Sequence, residues 1–153
     1  MKKIAFIVWD YTVTGGIERV LTNLANELCD YYDVHIISLT KSGDKVPYKI
    51  DERVNRVYFA TDESLRGREV IKKGGKGVRR YIKDNGIDTI LLMGFQSSMP
   101  AIAMLKFRSR TRLIFCEHEA LMSRWHEKKI TLVRFISALL SKKTVTLTKA
   151  TAE

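Results

Sequence analysis

Cysteine is almost missing from this 153-residue chain. The two present, Cys29 and Cys116, lie far apart and fit no metal-ligand spacing, which excludes a disulfide-stapled scaffold and a cysteine-rich metal site. A reducing cytosol is the compartment that such usage fits. Proline is as scarce, at two residues, and no repeat, low-complexity tract or internal linker interrupts the chain. No apolar run approaches the roughly 20 residues that a helix needs to span a bilayer. The run behind the basic start Met1-Lys2-Lys3 is broken by Asp10 and has no small-residue cleavage site, so it is not read as a signal peptide. Acidic residues are in deficit, 17 against 27 Lys and Arg, giving a net charge of +10. Anionic partners are expected: nucleic acid, a phosphate-bearing ligand or an acidic membrane surface.

What is present fits one globular domain, with 45% apolar and 29% charged residues. Ile4 to Trp9 is a continuous apolar run, as in a strand buried on both faces of a parallel sheet. Similar runs follow at Val34 to Leu39, Val57 to Phe59, Thr89 to Met93, Leu113 to Cys116 and Thr144 to Leu147. Between the first two, Val20, Leu21, Leu24, Ala25 and Leu28 recur at helical spacing. Further helices are expected over Arg68 to Asn85, stopped by Gly86, over Ser98 to Phe107 with Pro100 in its first turn, and over Lys129 to Ser141. Strand alternates with helix, so the expected class is α/β, an open, mainly parallel sheet of about six strands with helices on both faces. Thr148 reads as the N-cap of a helix beginning at Lys149.

Ligands of such sheets gather at the carboxyl ends of the strands. Three segments there carry suitable chemistry. After the first strand, Gly15-Gly16 lets backbone N–H groups approach an anion, and the helix that follows presents its positive end; the same pair also serves as a plain tight turn. Neither the dinucleotide fingerprint nor a P-loop is present. After the fourth strand, Gln96, Ser97 and Ser98 offer neutral groups suited to a polyol, or alternatively cap the next helix. After the fifth, Glu117-His118-Glu119 sets an imidazole between carboxylates, where it can bond sugar hydroxyls or simply be solvated. Cys116 continues an apolar run and is read as packing rather than as a nucleophile. His35 and His126 have no partner at ligand spacing, so no metal site is expected.

Positive charge also falls in patterns. Lys72, Lys76, Arg79, Arg80 and Lys83 share one face of a predicted helix, which Gly74, Gly75 and Gly77 weaken. Arg124, Lys128, Lys129 and Arg134 are interleaved with Trp125, Ile130, Leu132 and Val133. Both stretches suit adsorption to anionic headgroups, or a solvated surface.

Taken in order, the strand Lys3 to Trp9, the opening Gly15-Gly16-Ile17-Glu18-Arg19-Val20, the strand Asp88 to Met93, the loop Glu117-His118 and the segment Thr144 to Thr148 make the chain resemble the N-terminal, acceptor-side domain of family 4 glycosyltransferases, one Rossmann-like lobe of the two-lobed GT-B fold. The resemblance implies transfer of a sugar with retention from a nucleotide sugar to a glycan or lipid-linked acceptor, with no cofactor and no obligatory metal. Gly15 and Gly16 would lie near the donor diphosphate and the acceptor, and His118 would act at the reacting sugar; Glu117 and Thr148 in the matched segments, with Gln96 and Ser97 read above on their own chemistry, are the substrate-contact candidates. It further implies a role in bacterial cell-surface polysaccharide synthesis, a cytoplasmic protein peripheral to the inner face of the membrane, and a C-terminal donor-binding lobe that is not in these 153 residues, so that this lobe alone is inactive. The competing readings are a non-enzymatic anion- or RNA-binding Rossmann-like module and a different doubly wound enzyme complete at this length. No nucleic-acid motif or aromatic stacking platform supports the RNA reading.

Overall fold

The computed structural model describes residues 1–61, 68–105, 111–118 and 126–146. Six strands, β1 (Lys3–Asp10), β2 (Asp33–Thr40), β3 (Asn55–Ala60), β4 (Thr89–Met93), β5 (Arg112–Glu117) and β6 (Lys143–Thr146), alternate with helices α1 (Gly16–Leu28), α2 (Arg68–Asn85), α3 (Phe95–Leu105) and α4 (Lys128–Leu140). They form one sheet of order β3-β2-β1-β4-β5-β6 in which each neighbouring pair is parallel. The winding reverses between β1 and β4. There Ile4 sits beside Thr89 and Ile7 beside Leu92, which makes the carboxyl ends of these two strands the natural crevice of the fold.

Alternation along β1 feeds two cores. Ile4, Phe6 and Val8 join Leu21, Ala25 and Cys29 of α1 on one face. Ala5 and Ile7 join Val70, Val78, Ile82, Ala101, Ile102 and Met104 of α2 and α3 on the other. Helices therefore cover both faces, as the sequence predicts.

The three glycines expected to weaken α2 leave it continuous because they let it sit close to its neighbours. A β-carbon at Gly75 would lie 3.2 Å from Met104 Cγ, and one at Gly77 would lie 2.7 Å from the Phe59 ring. Gly86 closes α2 at φ 62°, the left-handed conformation that glycine adopts without a side-chain clash. At α3 the expected boundary shifts. The helix starts at Phe95, so Pro100 lies inside it rather than in its first turn, removing the N–H that would reach the carbonyl of the exposed Gln96. Gly94 precedes the helix, and the Ser98 N–H reaches the Gly94 carbonyl at 3.3 Å.

Candidate active site

Because all six strands run in parallel, the loops that follow them share one edge of the sheet. Asp10 closes β1, buried, and ties two of these loops together. Its Oδ1 accepts from the Thr12 N–H at 2.8 Å and the Thr12 hydroxyl at 2.6 Å. Its Oδ2 accepts from the Ser42 N–H at 2.8 Å and from the Ser42 hydroxyl. Burial pushes the Asp10 carboxyl up, but the bonds from Ser42 and Thr12 outweigh it and hold the group below its ordinary value. The Gly43 N–H adds a bond to Thr12 Oγ1 at 3.0 Å, and the Tyr48 hydroxyl donates to the Gly15 carbonyl at 3.0 Å. The glycine turn is thus anchored from the β2–β3 connection.

The two glycines differ. Gly15 has an extended backbone that any residue adopts, yet a β-carbon on it would collide with Glu18 Oε2, whereas one on Gly16 meets nothing within 4 Å. Gly16 is exposed and opens α1. The Glu18 carboxylate is folded back onto its own backbone N–H and buried at the start of α1. Burial raises its pKa; that backbone bond opposes the rise, and the charge of Asp10 adds to it. An anion arriving at the positive end of α1 therefore meets a carboxylate already in place.

Gly94, at φ 76°, joins the loops of β1, β4 and β5. Its N–H bonds the Cys116 carbonyl at 2.9 Å, and a β-carbon there would stand 3.1 Å from Ile17 Cδ1 in the first turn of α1. Of the neighbouring candidates, Gln96 is exposed at the mouth of this junction. Ser97 is not available to a polyol: it is fully buried and its hydroxyl donates to the Met93 carbonyl at 2.6 Å. Ser98 shares a 2.8 Å hydroxyl bond with Ser137, stitching α3 to α4.

At the end of β5 the expectation for Glu117 is corrected. Alternation turns its side chain away from the edge toward α4, where Arg134 Nε lies 2.8 Å from Glu117 Oε2, both side chains about 95% buried at 5% and 4% exposure. Arg134, expected on an exposed basic face, is inside, its guanidinium 5.4 Å from the centre of the Phe95 ring. His118 continues the chain onto the edge. Its Nε2 is buried and meets no hydrogen-bond partner among the described residues, and burial lowers its pKa so that the neutral imidazole is favoured. Cys116 is buried and its thiol is pushed up to about 11, which removes it as a nucleophile at neutral pH.

His35 packs at the opposite region of β2, bonding the Tyr81 hydroxyl at 2.9 Å, and plays no part at this edge. Thr148, Glu119, Arg124 and Trp125 lie outside the described residues. Among the described residues no group of three or more His, Cys, Asp or Glu is placed to hold a metal ion. Glu18 and Gly94 belong to segments the sequence singles out, whereas Asp10 and Arg134 shape the edge without having been expected there.

Comparison with known proteins agrees with this geometry. A model of the family described as Glycosyltransferase Family 4 matches residues 14–153. A protein of Haemophilus influenzae described as an uncharacterized glycosyltransferase is 29% identical over 152 residues, covering 98% of this chain and 42% of that protein. Among solved structures, sucrose-phosphate synthase from Thermosynechococcus elongatus superposes with a TM-score of 0.73 at 12% identity, over 94% of this chain and 42% of its own. The lipopolysaccharide outer core galactosyltransferase WaaB does so with a TM-score of 0.68 at 16% identity, over 97% of this chain and 40% of its own. The chain therefore spans less than half the length of each of these relatives.

Proposed function

The chain belongs to glycosyltransferase family 4, and from that premise we propose that it is the acceptor-side lobe of an enzyme moving a sugar from a nucleotide donor to a glycan or lipid-linked acceptor with retention and without an obligatory metal, in the building of cell-surface polysaccharide. A second, donor-binding lobe completes the site. The observation that carries the reading is His118: a half-buried imidazole, favoured neutral, whose buried Nε2 meets no hydrogen-bond partner among the described residues, set on the carboxyl edge of the sheet beside the Gly94 junction. An unpaired buried polar atom costs free energy, and a sugar hydroxyl at the reacting centre would satisfy it. Gly16 supplies an open backbone approach for the donor diphosphate at the start of α1, and Gln96 and Thr148 are assigned to acceptor hydroxyls. Glu117 and Ser97 are left out of substrate contact by the partners they already hold.

The working place of the enzyme is the cytoplasmic face of a membrane, held there peripherally. No helix among the described residues is long and apolar enough to cross one. In support, Lys72, Lys76, Arg80 and Lys83 are all exposed on α2. Arg79 does not join them, because its Nη1 donates to the Met104 carbonyl at 2.7 Å near the end of α3.

The test is calorimetric titration with UDP-glucose as the probe, beside Gly16→Asp, and an assay of transfer with the second lobe present. The reading expects nucleotide binding that Gly16→Asp abolishes, a drop in kcat of at least about 100-fold for His118→Ala, and a product whose anomeric configuration by NMR matches the donor. Full activity of His118→Ala would overturn it.

A further inference from the structure

Helix α4 is turned partly inside out. Its fully buried positions are polar, Arg134 and Ser137, and they tie it to Glu117 and Ser98. Its outward positions include Leu132, Phe135 and Leu139, which are 57%, 65% and 71% exposed. A surface helix ordinarily arranges these classes the other way round. The three apolar residues fall at i, i+3 and i+7, one stripe; exposed Lys128 and Lys129 open the helix at one end, and exposed Lys142 and Lys143 follow beyond its last residue, Leu140, at the other. No acidic residue lies within α4. Around the first turn the stripe opens into a recess of about 570 Å³ lined by His126, Lys128, Thr131, Leu132 and Phe135.

An apolar stripe closed at both ends by cations matches an anionic lipid surface, where the lysine heads reach the phosphates and the apolar side chains enter the acyl boundary. A second copy of the chain fits less well. A twofold antiparallel pairing of the stripes sets Lys128 and Lys129 of one copy over Lys142 and Lys143 of the other, and a parallel pairing sets each cation over itself. The rest of the same layer agrees: α3 lies between α4 and α2, so the exposed cations of α2 belong to the same side of the sheet. We propose that α4 inserts its Leu132, Phe135 and Leu139 face into an anionic bilayer while α2 adsorbs alongside it. The assignment rests on the reading of the enzyme as peripheral to a membrane, and adds which surface docks. Since α4 leaves the carboxyl edge and runs back toward the start of β6, its first turn and recess would lie at the bilayer beside the His118 edge, within reach of a lipid-borne acceptor.

The experiment is flotation of the protein with vesicles of phosphatidylcholine alone or mixed with phosphatidylglycerol. The wild type is expected to float with the mixed vesicles and not with the neutral ones, and Leu132→Ser with Phe135→Ser and Leu139→Ser to lower that partition about 100-fold. These positions are already exposed, so the substitutions leave the fold intact. An environment-sensitive dye on Leu139→Cys is expected to shift to the blue with mixed vesicles; the two native thiols are buried, which keeps the label at one place. Unchanged flotation of the triple variant, or a dye that does not shift, overturns the inference. If instead only Lys72→Gln with Lys76→Gln, Arg80→Gln and Lys83→Gln abolishes flotation, the peripheral reading survives and insertion through α4 does not. A wild type that floats with neither vesicle overturns both, and a dimer that the triple variant dissociates assigns the stripe to a second copy. Nucleotide binding, titrated separately, tells the failure of the transferase reading apart from all of these.

Discussion

Glu18 sets the charge that any anion meets at the glycine turn. Its raised pKa means that the neutral form persists to higher pH than for an ordinary glutamate, and above that value the carboxylate opposes a diphosphate. Affinity for UDP-glucose, whose phosphates stay ionised throughout, is therefore expected to rise as pH falls toward the Glu18 pKa. Glu18→Gln is expected to bind on the order of 5-fold tighter at neutral pH and to lose that slope; calorimetry across pH decides it. The buried pair of Glu117 and Arg134 makes a separate prediction. Arg134→Ala leaves Glu117 buried without its guanidinium and is expected to cost about 3–5 kcal/mol in urea unfolding, whereas Arg134→Met with Glu117→Gln recovers most of that loss. Both effects concern residues whose position the sequence half discloses. Strand alternation places Glu117 on the same face as Phe115, away from Cys116, so its inward turn is implicit in the pattern; its partner, seventeen positions on, is not. The place of His118 and the glycine turn on the carboxyl edge is legible because strand ends name their own edge. The network on Asp10 was not, since its donors come from a connection that sequence alone leaves without shape.

Among the elements, α2 shows where local preference gives way to contact. Its limits and those of β4 were readable to the residue, because Gly86 stops one and a branched apolar run defines the other. The tolerance of its glycines was not readable, because Phe59 and Met104, against which they pack, are distant in sequence. Replacing a helical glycine by alanine ordinarily gains about 1 kcal/mol. Gly77→Ala is expected instead to cost about 1–3 kcal/mol, since the new carbon enters the space of the Phe59 ring and the helix must move or the ring must turn. Gly74, whose nearest contact to a β-carbon is an ordinary 3.5 Å, serves as the control: Gly74→Ala should gain up to about 1 kcal/mol. Urea midpoints of the two variants measured side by side separate close packing from propensity. The later start of α3 in the sequence reading has a similar origin. Two serines resemble a cap, but here they lie within the helix and spend their hydroxyls on carbonyls behind them.

At the scale of the molecule, alternation of strand and helix announced a parallel sheet, but not its order; which strand neighbours which follows from crossovers, and these leave no mark on composition. The order has a measurable effect. β1 and β4 lie inside the sheet with a strand on either side, and β3 and β6 form its edges. Amide exchange is expected to be slowest at Ile4 to Val8 and Ile90 to Leu92, and fastest among the strands at Lys143 to Thr146; protection in β6 equal to that of β1 would contradict it. The Gly94 junction carries a different consequence, for redesign. One residue touches the first turn of α1 and the end of β5 at once, so a change of backbone length on any of the three loops is transmitted to the other two. Exposed side chains on their rims, Val13, Thr14 and Gln96, hang free of that junction. A library that seeks a new acceptor has its freedom there, at fixed loop length, and nowhere that shifts the glycine.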